Sequence, residues 1–154
     1  MRISFGVLII IKAKNMSEVV VSKTINVSAQ DAWNKLSSFR GIEEYSPIAK
    51  SETNGEGAGA KRTCYMPDGA EIYETLNKVD ESAMEFEYEI NKGPFPITRY
   101  VSTVKVEVVS DHKTKITWGC EFDSAPEVKG QMSELFEGFY NVIIESLEGV
   151  LQEV

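Results

Sequence analysis

Few side chains in this 154-residue chain are suited to chemistry. It has one histidine, His112, and two cysteines, Cys64 and Cys120; the remaining candidates are carboxylates and tyrosines. His112 lies between Asp111 and Lys113 in an apparent turn, which reads as a solvated histidine rather than the base of a hydrolytic triad. No Cys or His pair has metal-ligand spacing, so neither a metal nor a cofactor is expected. The stretch Asn54-Gly55-Glu56-Gly57-Ala58-Gly59 lacks the Lys-Ser/Thr of a phosphate loop. What remains is acid–base work or ligand orientation by Glu74, Tyr88 and Tyr100, with Arg62 as a charged partner. Such chemistry depends on whether the fold turns these residues to one side of one surface.

The elements follow from hydrophobic period. Residues 19–27, rich in Val, Thr and Ile, predict a strand. Ser28 then offers an N-cap, with an acid three residues on, to a helix that carries Trp33 and Leu36 inward. A second short helical turn is predicted over residues 39–45, ended by Ser46-Pro47. From 48 to 123 the period is two, broken by turn residues at 54–59, 67–69, 80–82, 93–96 and 110–113, which predicts an antiparallel meander. After Pro126 the period lengthens: Val128, Met132, Leu135, Phe136, Phe139, Ile143, Leu147 and Val150 define a long amphipathic helix. The reading is an α+β domain of about seven strands, with two short helices after the first strand. The curved sheet wraps the last helix, because nothing else is long and apolar enough to fill its concave face.

Alternation sets the faces. Glu85, Glu87 and Glu89 must face water, which turns Phe86, Tyr88 and Ile90 inward. In the same way Tyr100, Ser102, Val104 and Val106 face in, as do Ile116, Trp118, Cys120 and Phe122. A turn centred near Asp68 places Arg62 opposite Glu74 and Cys64 opposite Ile72. A turn centred near Glu81 places Glu74 opposite Tyr88 and Ile72 opposite Ile90. The 93–96 turn brings Tyr88 near Tyr100 or Ser102. The expected result is an inward polar row, Arg62–Glu74–Tyr88 with Tyr100 or Ser102. Buried charges are tolerated only when paired. The row therefore reads either as a self-satisfying ion pair or as a polar anchor in an apolar pocket.

Composition narrows the partners. The net charge of −8 argues against nucleic acid and against an anionic membrane surface. The apolar run at residues 3–11 is too short to span a bilayer, so no stable membrane insertion is expected. Residues 1–15 read as an extension outside the fold, and residues 16–154 as the domain. Cys64 and Cys120 face inward on strands that are not neighbours, which argues against a disulfide and fits a cytoplasmic protein. A monomer or weak dimer is expected.

Segments 29–33, 57–62, 68–76 and 93–118 resemble the polyketide cyclase/dehydrase and lipid-transport family of the START-like (SRPBCC) superfamily. The matching features are Ala32-Trp33, Gly59-Ala60-Lys61-Arg62, Asp68-Gly69, Glu74-Thr75-Leu76, Gly93-Pro94-Phe95-Pro96 with Tyr100, and Thr117-Trp118. The resemblance spans residues 18–154. It implies a helix-grip fold and a cavity for lipids, polyketides or other hydrophobic molecules, with loops 66–70 and 91–97 at its mouth. The same superfamily contains plant abscisic-acid receptors with a Ser-Gly-Leu-Pro gate and a His-Arg-Leu latch. Here Cys64-Tyr65-Met66-Pro67 and Phe95-Pro96-Ile97 stand instead, and the hormone-receptor function is not carried across.

The expected walls are Ile72, Phe86, Tyr88, Ile90 and Tyr100 from the middle strands, with Trp118 and Phe122 from the last strand. Met132, Phe136 and Phe139 come from the helix, Phe95 from the mouth, and Arg62, Glu74 and Ser102 are the polar contacts. For any one aromatic, plain core packing is the ordinary alternative. The preferred function is non-enzymatic binding of a hydrophobic or amphipathic small molecule. The alternative is a cyclase or dehydratase using Glu74, Tyr88 and Tyr100 as acid–base groups, although a guanidinium opposite Glu74 works against its acting as a base. A protein-interaction module acting through Met66 and Phe95 is a third class.

Overall fold

The structure, a computed structural model, describes residues 16–152. The extension expected over residues 1–15 lies outside the described residues. β1 (Met16–Ile25) begins earlier than the pattern predicted, because it pairs with the last strand from Asp123 to Thr114. The expected strand end at residues 26–27 is given over to other bonds. The Asn26 N–H donates to Glu148 Oε2 at 2.7 Å, and the Val27 carbonyl accepts from Thr114 Oγ1 at 2.7 Å.

α1 (Ala29–Ser37) starts where Ser28 predicts it: Ser28 Oγ accepts the Asp31 N–H at 3.1 Å. Trp33 and Leu36 are buried, and the Trp33 indole donates to Glu81 Oε2 at 2.6 Å. The second predicted helix is one 3-10 turn, Ile42–Glu44, entered through Gly41 in the left-handed region at φ 72°.

The meander is β2 (Lys50–Asn54), β3 (Lys61–Tyr65), β4 (Glu71–Asp80), β5 (Glu85–Lys92), β6 (Ile97–Ser110) and β7 (Lys113–Ser124). With β1 these form one antiparallel sheet of seven strands in the order β1-β7-β6-β5-β4-β3-β2. Irregularities in β4 and β6 interrupt the ladder, and such bulges bend a sheet.

The register holds at one hairpin and shifts at the next. Arg62 lies opposite Glu74 and Cys64 opposite Ile72, as expected, because the turn around Asp68 is tight. Tyr88, however, lies opposite Leu76, and Glu74 lies opposite Ile90. A longer turn displaces the predicted Glu74–Tyr88 and Ile72–Ile90 pairs, and a bulge takes back part of the shift. The turn occupies residues 81–84, with Asp80 Oδ1 accepting from Ser82 Oγ and the Ala83 N–H, and Met84 takes a positive φ of 52°. A bulge at Asn77 then slips the strands back by one residue. Tyr88 faces Ser102 across the next ladder.

α2 (Pro126–Gln152) opens on a proline, whose missing N–H costs nothing in a first helical turn. Its buried stripe is Met132, Phe136, Tyr140, Ile143, Ile144 and Leu147. Leu135, expected inward, is 45% exposed. Lys23 pairs with Glu145, and Gln152 Nε2 donates to the Asn26 carbonyl at 3.1 Å, so the C-terminal half lies along β1. No helix among the described residues is long and apolar enough to cross a membrane.

A candidate ligand cavity beneath the last helix

Aromatic side chains fill much of the space between sheet and helix. Trp118 stacks on Tyr140 at 5.8 Å between ring centroids. Phe136 meets Tyr100 at 5.0 Å, Phe122 at 5.3 Å and Phe95 at 5.6 Å. Towards the 66–70 and 93–96 loops the packing leaves a cavity of about 70 Å³. Its sheet wall is Cys64, Ile72, Glu74, Tyr88, Ile90 and Tyr100. Leu135, Phe136 and Phe139 close it from α2; Ile42, Ile48, Met66 and Phe95 close it from the loops.

Eight of the residues expected to touch a ligand therefore reach this space: Ile72, Glu74, Tyr88, Ile90, Phe95, Tyr100, Phe136 and Phe139. Arg62, Phe86, Ser102, Trp118, Phe122 and Met132 are buried but do not line it; they pack the core around the lining residues. Ile42 and Ile48 were not expected in the wall: one sits in the 3-10 turn and the other in the loop before β2, where the run is too short to set a face. Cys64 was placed inward by alternation but treated as plain core. Leu135 reaches the cavity from its rim.

The polar feature is the ion pair. Arg62 and Glu74 are 3% and 7% exposed, and Arg62 Nε donates to Glu74 Oε1 at 2.7 Å. The same oxygen accepts from Cys64 Sγ at 3.3 Å. The guanidinium lies over the Phe39 ring, 3.7 Å from its centroid, and 5.5 Å from that of Tyr88. Phe39 adopts φ 60°, a costly region for a bulky residue. Its carbonyl accepts Thr53 Oγ1 at 2.7 Å, which holds that conformation on the strand facing Arg62. Burial alone would lower the Arg62 pKa, but Glu74 beside it more than offsets this and keeps the guanidinium charged. Burial, then Glu74, push the Cys64 thiol up, so Cys64 stays a neutral thiol rather than a nucleophile.

The tyrosines are equally constrained. Tyr88 accepts from Trp118 Nε1 at 3.2 Å, and burial, helped by Glu74, pushes its pKa up to about 12. The Tyr100 and Tyr140 hydroxyls are hydrogen-bonded to each other, and burial raises both well above the usual phenol range. Tyr140 was missed by the pattern reading, since positions 139 and 140 both suit a helical stripe and Phe139 is the more apolar.

Mouth geometry rests on two loops. Gly69, at φ 93°, lets its N–H return to the Met66 carbonyl at 2.9 Å. Phe95 folds against Gly93, where a Cβ would come within 3.5 Å of its ring. Pro96 restricts the backbone of Phe95.

A curved antiparallel sheet around a long C-terminal helix, with a lined space at its loop end, defines a helix-grip domain. The chain belongs to the polyketide cyclase/dehydrase and lipid-transport family, whose model matches residues 16–152. Among curated proteins none matches the sequence. The fold is similar to that of XoxI from Bacillus cereus at 24% identity and TM-score 0.79, covering 88% of this chain and 96% of that one. It is also similar to a solution structure from Thermobifida fusca, at 25% identity and TM-score 0.75, with 85% and 90% covered. Norcoclaurine synthase from Thalictrum flavum, solved with dopamine and hydroxybenzaldehyde, matches at 18% identity and TM-score 0.72, covering 90% and 87%.

Proposed function

We propose that this protein binds a small hydrophobic or amphipathic molecule, of lipid, polyketide or aromatic type, between its sheet and its last helix. It does so as a cytoplasmic binding or carrier protein rather than as an enzyme. The observation that carries this reading is an apolar cavity whose one charged lining group among the described residues, Glu74, is fixed in place by a buried arginine. A few fixed polar groups in an apolar wall are the usual means of orienting a ligand.

The cavity of about 70 Å³ has room for two waters or so. Ligand pockets commonly offer ~300–1,000 Å³. Binding therefore requires the mouth to widen. Met66, Phe95 and Phe139 are only half-buried there, and Leu135 is exposed, so their displacement disturbs less packing than any movement of the inner aromatics.

The cyclase or dehydratase alternative has less to draw on. The Arg62 guanidinium beside Glu74 opposes its taking a proton, Tyr100 is bonded to Tyr140, and Tyr88 holds its proton far above neutral pH. Native mass spectrometry of the protein purified from its source tests the binding reading. The expected result is a co-purifying small hydrophobe. An unliganded mass, with no uptake of any neutral apolar probe, would remove the proposal.

A further inference from the structure

The walls of the cavity give a ligand its shape but not its direction; direction comes from the polar atoms that reach the space. Those belong to Cys64, Glu74, Tyr88 and Tyr100. Three of these residues are already committed. The Cys64 thiol donates to Glu74 Oε1. Tyr100 bonds Tyr140. Tyr88 accepts from the Trp118 indole.

Glu74 differs. Both of its hydrogen bonds fall on Oε1, from Arg62 Nε at 2.7 Å and from Cys64 Sγ at 3.3 Å. Oε2 accepts none among the described residues, on a side chain that is 8% exposed and lines the cavity. The counter-charge sits elsewhere: Arg62 lies on Phe39 and is not part of the lining, and among the described residues no other arginine or lysine lines the space. The pair is neutral as a whole, but it presents its anionic end to the ligand.

An ionised carboxylate oxygen can only accept a hydrogen bond. Oε2 is open to the cavity rather than sealed, so a ligand body that covers it without offering a donor incurs a desolvation cost. A ligand hydroxyl or amine removes that cost. A ligand carbonyl leaves it in place, and a ligand carboxylate adds a like charge beside it.

We infer that the cavity selects ligands by headgroup: it takes a small apolar or aromatic body bearing a hydrogen-bond donor, an amine or a hydroxyl, set on Glu74 Oε2, and it discriminates against carboxylates. This deepens the binding reading above and rests on it. It separates this protein from a carrier of fatty-acid or other anionic amphiphiles, which would need a lysine or arginine in the wall.

The test uses three probes on one aromatic body, phenethylamine, phenethyl alcohol and phenylacetate, with the neutral hydrocarbon dye diphenylhexatriene, which has no hydrogen-bonding group, as a headgroup-independent reference. Binding is followed by saturation-transfer NMR and calorimetry at neutral pH. The amine and the alcohol are expected to bind at least about tenfold more tightly than the carboxylate, about 1.4 kcal/mol. In Glu74→Gln, which keeps an acceptor for Arg62, the amine loses its advantage over the carboxylate. In Arg62→Met/Glu74→Leu, which removes both charges together, the three probes bind alike. If either variant fails to fold, the ranking on the wild type decides alone. Phenylacetate binding the wild type as tightly as phenethylamine would overturn the headgroup rule while leaving the binding reading intact. Failure of all three probes and of the neutral dye would overturn both.

Discussion

Replacing Arg62 by methionine isolates what holds the candidate site in place. Methionine fills much of the volume of the arginine stem, so the change removes charge more than bulk. Glu74 would remain 7% exposed with its Nε partner at 2.7 Å gone and only the Cys64 thiol, at 3.3 Å, donating to it. Breaking a buried pair in this way costs about 3–5 kcal/mol, because the surviving charge is uncompensated. The loss includes the stacking of the guanidinium on Phe39 at 3.7 Å, which is worth about 2 kcal/mol in a desolvated setting. Arg62→Met/Glu74→Leu removes both charges and should recover most of the deficit, since apolar replacement of a whole buried pair is often neutral or stabilising. Urea unfolding of the wild type, both single variants and the double variant yields the coupling energy. A coupling above about 2 kcal/mol is expected. The reasoning is refuted if Arg62→Met costs under about 1 kcal/mol, the behaviour of an exposed pair, or if the double variant loses the sum of the two singles.

Phe136→Ala removes the ring that meets Phe95, Tyr100 and Phe122, and should cost about 3–5 kcal/mol in urea while enlarging the cavity enough to tighten binding of bulkier neutral probes. Gly119→Ala sets a Cβ 2.9 Å from the Val19 carbonyl across the β1–β7 ladder, so a loss of about 1–3 kcal/mol is expected in thermal unfolding. Ser28→Ala should cost about 1 kcal/mol, since it removes the acceptor for the Asp31 N–H at the start of α1. Alkaline pH should destabilise the fold. Unfolded Tyr88 ionises near 10, whereas the folded form holds its proton to about 12, so the folded state binds more protons in that window and stability falls as pH rises through it. The loss is negligible below about pH 10, amounts to about 2 kcal/mol at pH 12 and levels off above that, and the alkaline loss should be shallower in Tyr88→Phe than in the wild type.

The faces of the strands were legible because alternation is local. Three glutamates at 85, 87 and 89 leave Phe86, Tyr88 and Ile90 no direction but inward, and Tyr88 and Phe86 are both 3% exposed. The Arg62–Glu74 pairing was legible because a tight turn at Asp68 fixes the register. The Tyr88 pairing was not, because the four-residue turn and the bulge at Asn77 each shift the ladder without leaving a hydrophobic signature. Cavity size is of another kind again. It depends on how Phe122, Trp118 and Tyr140 divide one volume, and side-chain packing in three dimensions has no period in the chain. The resemblance to the family placed the mouth loops, and Met66 and Phe95 do border the space. It carried no information on how nearly closed that space would be.

A small apolar molecule is proposed to enter between the sheet and α2 at the 66–70 and 93–96 loops. Methyl-resolved NMR titration with a neutral apolar probe tests it directly. Shifts are expected at Ile48, Met66, Ile72, Ile90 and Leu135, all lining residues, with Val20 and Val108, exposed and away from the cavity, unmoved. Saturable shifts confined to Val20 or Val108, or none at any methyl, would contradict it.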